Sequence, residues 1–164
     1  MKNYQIEGKD GKLYWIHRAT SVSVFLFAII EDKMHVLVAK RGSGASDHQG
    51  LWNCPCGYLD FDETLDQCAA RELREETTFV LEPEDLMPFD VTDDPANFKQ
   101  NISHKFCAFL DEGVDLTVAP GTEGEPNEVE EVKWIPIEDV NQYEWAFNHD
   151  EFIGRLYAIM QRLF

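Results

Sequence analysis

Between Thr64 and Thr78 the chain reads Leu-Asp-Gln-Cys-Ala-Ala-Arg-Glu-Leu-Arg-Glu-Glu-Thr, and its acidic and apolar residues share one face. Thr64 followed three residues later by Gln67 is a capping box, which predicts a helix over 65–77. At about 100° per residue, Leu65, Cys68 and Ala69 point to the core, and Glu72, Glu75 and Glu76 lie within about 80° of Leu65. A solvated charge run would place its acids opposite, where Asp66, Ala70 and Arg74 fall. Like charges at i,i+3 and i,i+4 each cost a few tenths of a kcal/mol, and partial burial raises that cost or neutralises the groups. Two arrangements relieve it. One is an ion-pair network with Arg71 and Arg74. The other is a site for hard divalent cations, since oxygen-only ligands suit Mg²⁺ or Mn²⁺.

The overall charge sharpens the choice. Against 31 Asp and Glu stand 14 Lys and Arg, a net charge of −17. That field disfavours duplex nucleic acid and anionic membranes, which need basic patches. A small phosphorylated substrate remains compatible if metal cations stand between its phosphates and the protein. The 164 residues suit one domain over 1–164, with a core that needs neither disulfides nor a structural metal. The longest strictly apolar run, Val24 to Ile30, is far too short to span a bilayer. Glu7 and Asp10 interrupt the first twenty residues, so no signal peptide is expected. Cys54, Cys56, Cys68 and Cys107 lack zinc-site spacing and read as free thiols of a cytoplasmic protein. No His pair has i,i+4 spacing and no G-x-S-x-G elbow occurs. The stretch RGSGASDHQG matches neither a dinucleotide fingerprint nor a P-loop and reads as a mobile loop.

Around the acidic helix the pattern alternates strands and loops. Tyr4–Glu7 and Leu13–Arg18 predict an opening hairpin within residues 1–18. Val22–Ile30, buried on both faces, and His35–Lys40 are sheet strands, and Leu51–Tyr58 is a strand broken by Pro55 and Gly57. Further strands are expected at Leu86–Val91, Ile102–Leu110 and Val129–Ile135, with loops at Asp93–Gln100 and Pro120–Asn127. A last helix, capped by Asn148 and Glu151, carries the stripe Phe152, Ile153, Leu156, Ile159, Met160 and Leu163. Strands around one helix and closed by another predict an α/β (α+β) sandwich with a mixed sheet.

Gly57-Tyr-Leu-Asp-Phe-Asp-Glu63, then Arg71-Glu72-Leu73-Arg74-Glu75-Glu76-Thr77-Thr78-Phe79, resembles the Nudix box, G-x5-E-x7-R-E-U-x-E-E-x-G-U. Eight of its nine defined positions match across 23 residues. Trp52-Asn-Cys-Pro-Cys56-Gly57 resembles the family's W-x-x-P-G-G lead-in, and Trp134-Ile135-Pro136 its late strand. The resemblance implies the Nudix α/β/α sandwich and Mg²⁺- or Mn²⁺-dependent hydrolysis of a nucleoside diphosphate linked to another group. The alternative is a non-catalytic Nudix-like module that senses a nucleotide derivative. An isomerase on the same fold ranks lower, because the box is of the hydrolase type.

Position by position, the resemblance makes Glu72, Glu75 and Glu76 metal ligands, completed by a backbone carbonyl near Cys56 and Gly57. Glu63 is a supporting residue and Arg71 orients a helix carboxylate. Glu75 and Glu76 on the helix, or Glu128 on a later loop, are candidates for the base. Among Glu128, Glu130 and Glu131, Glu128 is preferred, as an additional ligand or as the base. Lys40 and Arg41 are expected phosphate contacts. Trp52, Phe98 and Phe106 are candidates to stack a base, with the core as the competing destination for each. Pro95, sixteen residues beyond Phe79, has a placement associated in the family with ADP-ribose and related sugar diphosphates. Nucleoside triphosphates and dinucleotides are the other substrate classes, and a homodimer is compatible with the sequence. Two positions depart from the pattern. Thr78 replaces the glycine that would end the helix, so a different helix exit is expected, and Cys56 replaces the first glycine of the lead-in pair.

Overall fold

The computed structural model describes residues 3–95 and 101–163, which leaves Phe98 outside the described residues. Strand β1 (Tyr4–Glu7) pairs with β2 (Leu13–Ile16) in a separate two-stranded sheet whose side chains are all exposed. The second strand stops short of Arg18. There the guanidinium donates to the carbonyls of Asp93 at 2.6 Å and Asn101 at 2.8 Å, tying the hairpin to the main sheet.

The main sheet is built on β3 (Ala19–Ile30), whose residues from Val22 to Ala28 are buried on both faces as their apolar run predicts. The turn at Glu31 and Asp32 returns the chain as antiparallel β4 (Lys33–Arg41). On the edge it shares with β4, the first half of β3 pairs with antiparallel β6 (Cys56–Tyr58), and its other edge pairs over Ala19–Phe27 with parallel β8 (Asn101–Phe109). β4 carries β5 (Trp52–Asn53) and β9 (Val129–Pro136), while β7 (Met87–Thr92) is the edge beyond β8. The broken strand expected over 51–58 is thus two strands, β5 and β6, separated at Cys54-Pro55.

Alternation along β3 supplies two cores. Val22, Val24 and Leu26 meet Cys68, Ala69 and Leu73 of α1 (Leu65–Thr77) on one face. Phe25 and Phe27 meet Ile153, Leu156 and Met160 of α2 (His149–Leu163) on the other. The result is an α/β/α sandwich on a mixed sheet. Ile159, expected in the apolar stripe of α2, is 50% exposed, and the Leu163 side chain lies outside the described part. The Glu151 N–H donates to the Asn148 carbonyl at the start of α2. Two 3-10 segments, Pro83–Asp85 and Ile137–Gln142, sit in stretches with no predicted element.

Two expectations are corrected. Thr78 does adopt the left-handed conformation, φ 61° and ψ 0°, and donates its N–H to Arg74 O at 2.9 Å. The helix therefore exits as a glycine would allow, with the β-branched side chain strained by about 1–2 kcal/mol. The glycine loop after β4 is tethered: Gly42 N–H donates to Glu128 O at 2.6 Å and Gly44 N–H to Asn127 O at 2.9 Å. A Cβ at Gly42 would lie 2.2 Å from Asn127 O, and one at Gly44 would lie 2.0 Å from Pro126 O. These glycines serve close backbone approach, and that approach fixes the segment carrying Glu128.

Candidate active site

The capping box forms, with Gln67 Oε1 accepting the Thr64 N–H at 2.9 Å, and it sets the helical phase that aims the acids. Arg71 lies among them. Its Nη2 and Nε donate to the two Glu63 oxygens at 2.7 and 2.9 Å, and its Nη1 donates to Glu72 Oε1 at 2.8 Å and Glu75 Oε2 at 3.0 Å. The guanidinium holds the Glu63 carboxyl down at about 2. Glu72, by contrast, is lifted to about 7 by burial, against the pull of Arg71 and with a push from Glu75 and Glu128. Gly57 makes room for it, since a Cβ there would stand 2.1 Å from Glu72 Oε1.

Glu76 is the extreme case. It is 4% exposed and its Oε2 has no hydrogen-bond partner. Burial, with Glu72 and Glu128 nearby, pushes its carboxyl well above the ordinary range, although the Cys56 N–H donates to it. Burial also pushes the Cys56 thiol up, and Asn53 Nδ2 donates to that sulfur at 3.3 Å. The ion-pair network therefore accounts for Glu63, Glu72 and Glu75 but leaves Glu76 uncompensated. Among the described residues no three carboxylate, imidazole or thiol side chains form a closed metal cage, and Arg71 draws Glu72 and Glu75 to itself. An orphaned, buried carboxylate oxygen beside two further acids is nonetheless an all-oxygen donor set that fits a hard divalent cation.

Of the three candidate acids, Glu128 faces Glu72 and Glu76, while Glu130 and Glu131 fall within β9. Glu130 pairs with Lys40 at 3.0 Å and Glu131 with Lys133 at 3.2 Å, both toward solvent. A cavity of about 430 Å³ abuts the acids through Cys56, Gly57 and Glu128. Arg41 lines it, 6% exposed, with Nη2 on Asp47 Oδ1 at 2.8 Å. Lys40, one residue earlier, does not line the cavity. Trp52 does not either: it is 8% exposed in the α2-side core, edge-on to Tyr143, with the Lys133 ammonium 4.3 Å from its ring. Phe106 is likewise core, at 4% exposed. The lining also brings in Ser21, Ser23, Asn101, Ser103, Lys105 and His149, none of which the sequence reading selected. The one local signal was a lysine directly before the apolar run Phe106–Phe109 at the end of β8.

The family model for the NUDIX domain matches residues 19–156. An isopentenyl-diphosphate Delta-isomerase of Ruegeria pomeroyi is 33% identical over 128 residues, 76% of this chain and 64% of the relative. The chain spans less than two thirds of the length of the curated relatives it matches, between 42% and 64%. Among solved structures, the NUDIX domain of Shewanella oneidensis NrtR complexed with ADP ribose superposes with a TM-score of 0.72 at 23% identity, covering 88% of this chain and 90% of that one; it supports the fold. A bifunctional NMN adenylyltransferase/ADP ribose pyrophosphatase of Francisella tularensis, complexed with AMP and Mn ion, gives 0.70 at 25% identity, covering 86% and 41%.

Proposed function

The chain belongs to the Nudix family, and on that footing we propose that it hydrolyses a diphosphate linkage in a nucleoside diphosphate derivative, using Mg²⁺ or Mn²⁺. The observation that carries this reading is Glu76, a buried carboxylate with an orphaned oxygen between Glu72 and Glu128. Glu72, Glu75 and Glu76, with a backbone carbonyl of Cys56 or Gly57, are the groups that would hold the cation. Such an ion, when bound, neutralises the diphosphate, polarises phosphorus and acidifies water. A protein of net charge −17 needs that neutralisation to accept an anion at all. Arg71 orients Glu72 and Glu75 through Nη1, and Glu63 anchors Arg71 from the other side. In this reading Glu128, which faces Glu72 and Glu76, takes a proton from the attacking water. Arg41 supplies positive charge at the cavity wall.

The Shewanella neighbour's ADP ribose and the Francisella neighbour's AMP and Mn ion support a nucleoside diphosphate substrate and a divalent cation. The Ruegeria relative favours a second reading, rearrangement of a diphosphate ester with the diphosphate left intact. Four free thiols support a reducing, cytoplasmic setting, and the exposed apolar side chains of the hairpin support a homodimer.

The test is turnover on ADP-ribose, nucleoside triphosphates, dinucleoside polyphosphates and isopentenyl diphosphate, with Mg²⁺, Mn²⁺ or EDTA, and products resolved by chromatography. Cleavage within the diphosphate that stops in EDTA is the expected result. Full turnover in excess EDTA overturns it. Metal-dependent binding with no cleavage supports the sensor alternative, and rearrangement without cleavage supports the second reading.

A further inference from the structure

Three serine hydroxyls in the cavity each already accept a hydrogen bond from another side chain. Ser21 accepts from Asn101 Nδ2 at 3.0 Å, Ser103 from Lys105 Nζ at 2.6 Å, and Ser23 from His149 Nε2 at 3.3 Å. The direction of the last bond follows from the other ring nitrogen. His149 Nδ1 accepts the Cys54 N–H at 2.9 Å, so the ring proton sits on Nε2. The same tautomer prevents His149 from acting as a base toward Ser23. Having accepted, each hydroxyl keeps its own proton to give. The wall therefore offers three O–H donors and the Lys105 ammonium, which is 4% exposed.

Acids line the cavity too: Asp47 is bound to Arg41, Glu128 faces the helix acids, and Glu151 is exposed. Tyr58, at one side, is largely exposed, and the two phenylalanine rings of the lining already face cations. Phe152 has Lys105 at 4.9 Å and Arg155 at 5.3 Å from its ring. Phe147 has Arg41 at 5.1 Å and packs against His48 and His149.

The register of the sheet sets the scale. Cys56, Ser23 and Lys105 stand in one row across β6, β3 and β8. Two strand spacings separate the ends of that row, about 10 Å. At its first end the Cys56 N–H holds Glu76; at its other end is Lys105. That span matches one sugar or a short carbon chain.

We propose that this cavity receives a second anionic group, a phosphate or carboxylate, carried by the substrate about one sugar's length from its diphosphate, and that Lys105 selects for it. The proposal rests on the diphosphate-hydrolase reading and names the chemistry of the group attached to the diphosphate on the cavity side.

Thermal melts of the full chain in EDTA test the site without the metal. The probes are glycerol 3-phosphate, glycerate and neutral glycerol, applied to wild type, Lys105→Met and Lys105→Arg. One or both anions should raise the wild-type Tm, and the stronger of the two identifies phosphate or carboxylate. Glycerol should not, Lys105→Met should abolish the response, and Lys105→Arg should restore part of it. No anion-specific shift in wild type overturns the proposal, as does an undiminished shift in Lys105→Met. With Mg²⁺, matched diphosphate esters with and without a terminal anion should differ in KM by about tenfold or more in wild type, a preference that Lys105→Met loses. Turnover with no such preference overturns the proposal and leaves the hydrolase reading standing. A Lys105-dependent shift in EDTA, with no turnover of any diphosphate, supports the anion site and removes the hydrolase reading.

Discussion

In the absence of metal, this protein should lose stability as pH rises from 5 to 8, and Glu72 sets a scale for the loss. Its carboxyl stands at about 7 in the folded chain against an ordinary 4.5. The folded state therefore holds that proton more tightly than the unfolded state. Below about pH 4.5 both states are protonated and stability does not depend on this group. Between about 4.5 and 7 the folded state binds more protons, so stability falls as pH rises, and above about 7 the loss is complete. The separation, 7 less 4.5, corresponds to roughly 3 kcal/mol. For a domain of this size that is about 6–12 °C in Tm. Glu76 acts in the same direction. Glu63, held at about 2, acts in the opposite direction, but its contribution is lost only as pH falls from about 4.5 toward 2, below this window.

Glu72→Gln isolates the effect, because glutamine keeps an acceptor for Arg71 Nη1 and has no proton to release. Melts in EDTA at fixed ionic strength from pH 5 to 8 should show wild type falling further than the variant by about 6–12 °C. General self-repulsion of a −17 chain acts on both and cancels in the difference. At pH 7.5, Mg²⁺ at about 100 times Kd should restore about 2.7 kcal/mol to wild type and less to the variant. Parallel curves for the two proteins, or a variant that falls more steeply than wild type, would refute the reasoning.

Glu76→Gln should lower kcat by several orders of magnitude in steady-state assays, while Glu130→Gln, exposed and paired with Lys40, should stay within about twofold. Gly44→Ala should displace the Pro126–Glu128 segment, since its new Cβ meets Pro126 O; kcat should fall more than KM changes, with the circular dichroism of the fold retained. Trp52→Ala should cost about 3–5 kcal/mol in denaturant unfolding, whereas a base-stacking Trp52 would show chiefly as a raised KM in a protein of unchanged stability. Thr78→Gly should raise Tm by about 2–4 °C by relieving the left-handed threonine; an unchanged or lowered Tm would mean the position carries no net strain.

What the sequence revealed of this site is what local chemistry defines. Helix α1 has its cap, its period and its acids within fourteen residues, so both its span and the burial of Glu76 could be read before any partner was known. The rest depends on chains that meet from far apart. Lys40 and Arg41 are adjacent, and alternation on β4 allows only one of them to face the cavity. Sequence does not say which, and the register shifts between these same two residues; the structure sends Lys40 to Glu130 and Arg41 inward to Asp47. Three acids ahead of Trp134 were candidates on paper, with Glu128 preferred only for its closeness to the glycine loop. Glu130 and Glu131 find lysines, and Glu128 is held at the site by Gly42 and Gly44. A glycine kept for flexibility and one kept so that two backbones can touch look alike until the second backbone is present, which is why this loop read as mobile. Lys105 was hidden for a related reason: only the pairing of β8 with β3, and of β3 with β6, sets it in line with Ser23 and Cys56. The candidate metal ligands can therefore be recognised from one helix, whereas the proposed selectivity depends on three strands whose order the sequence does not state.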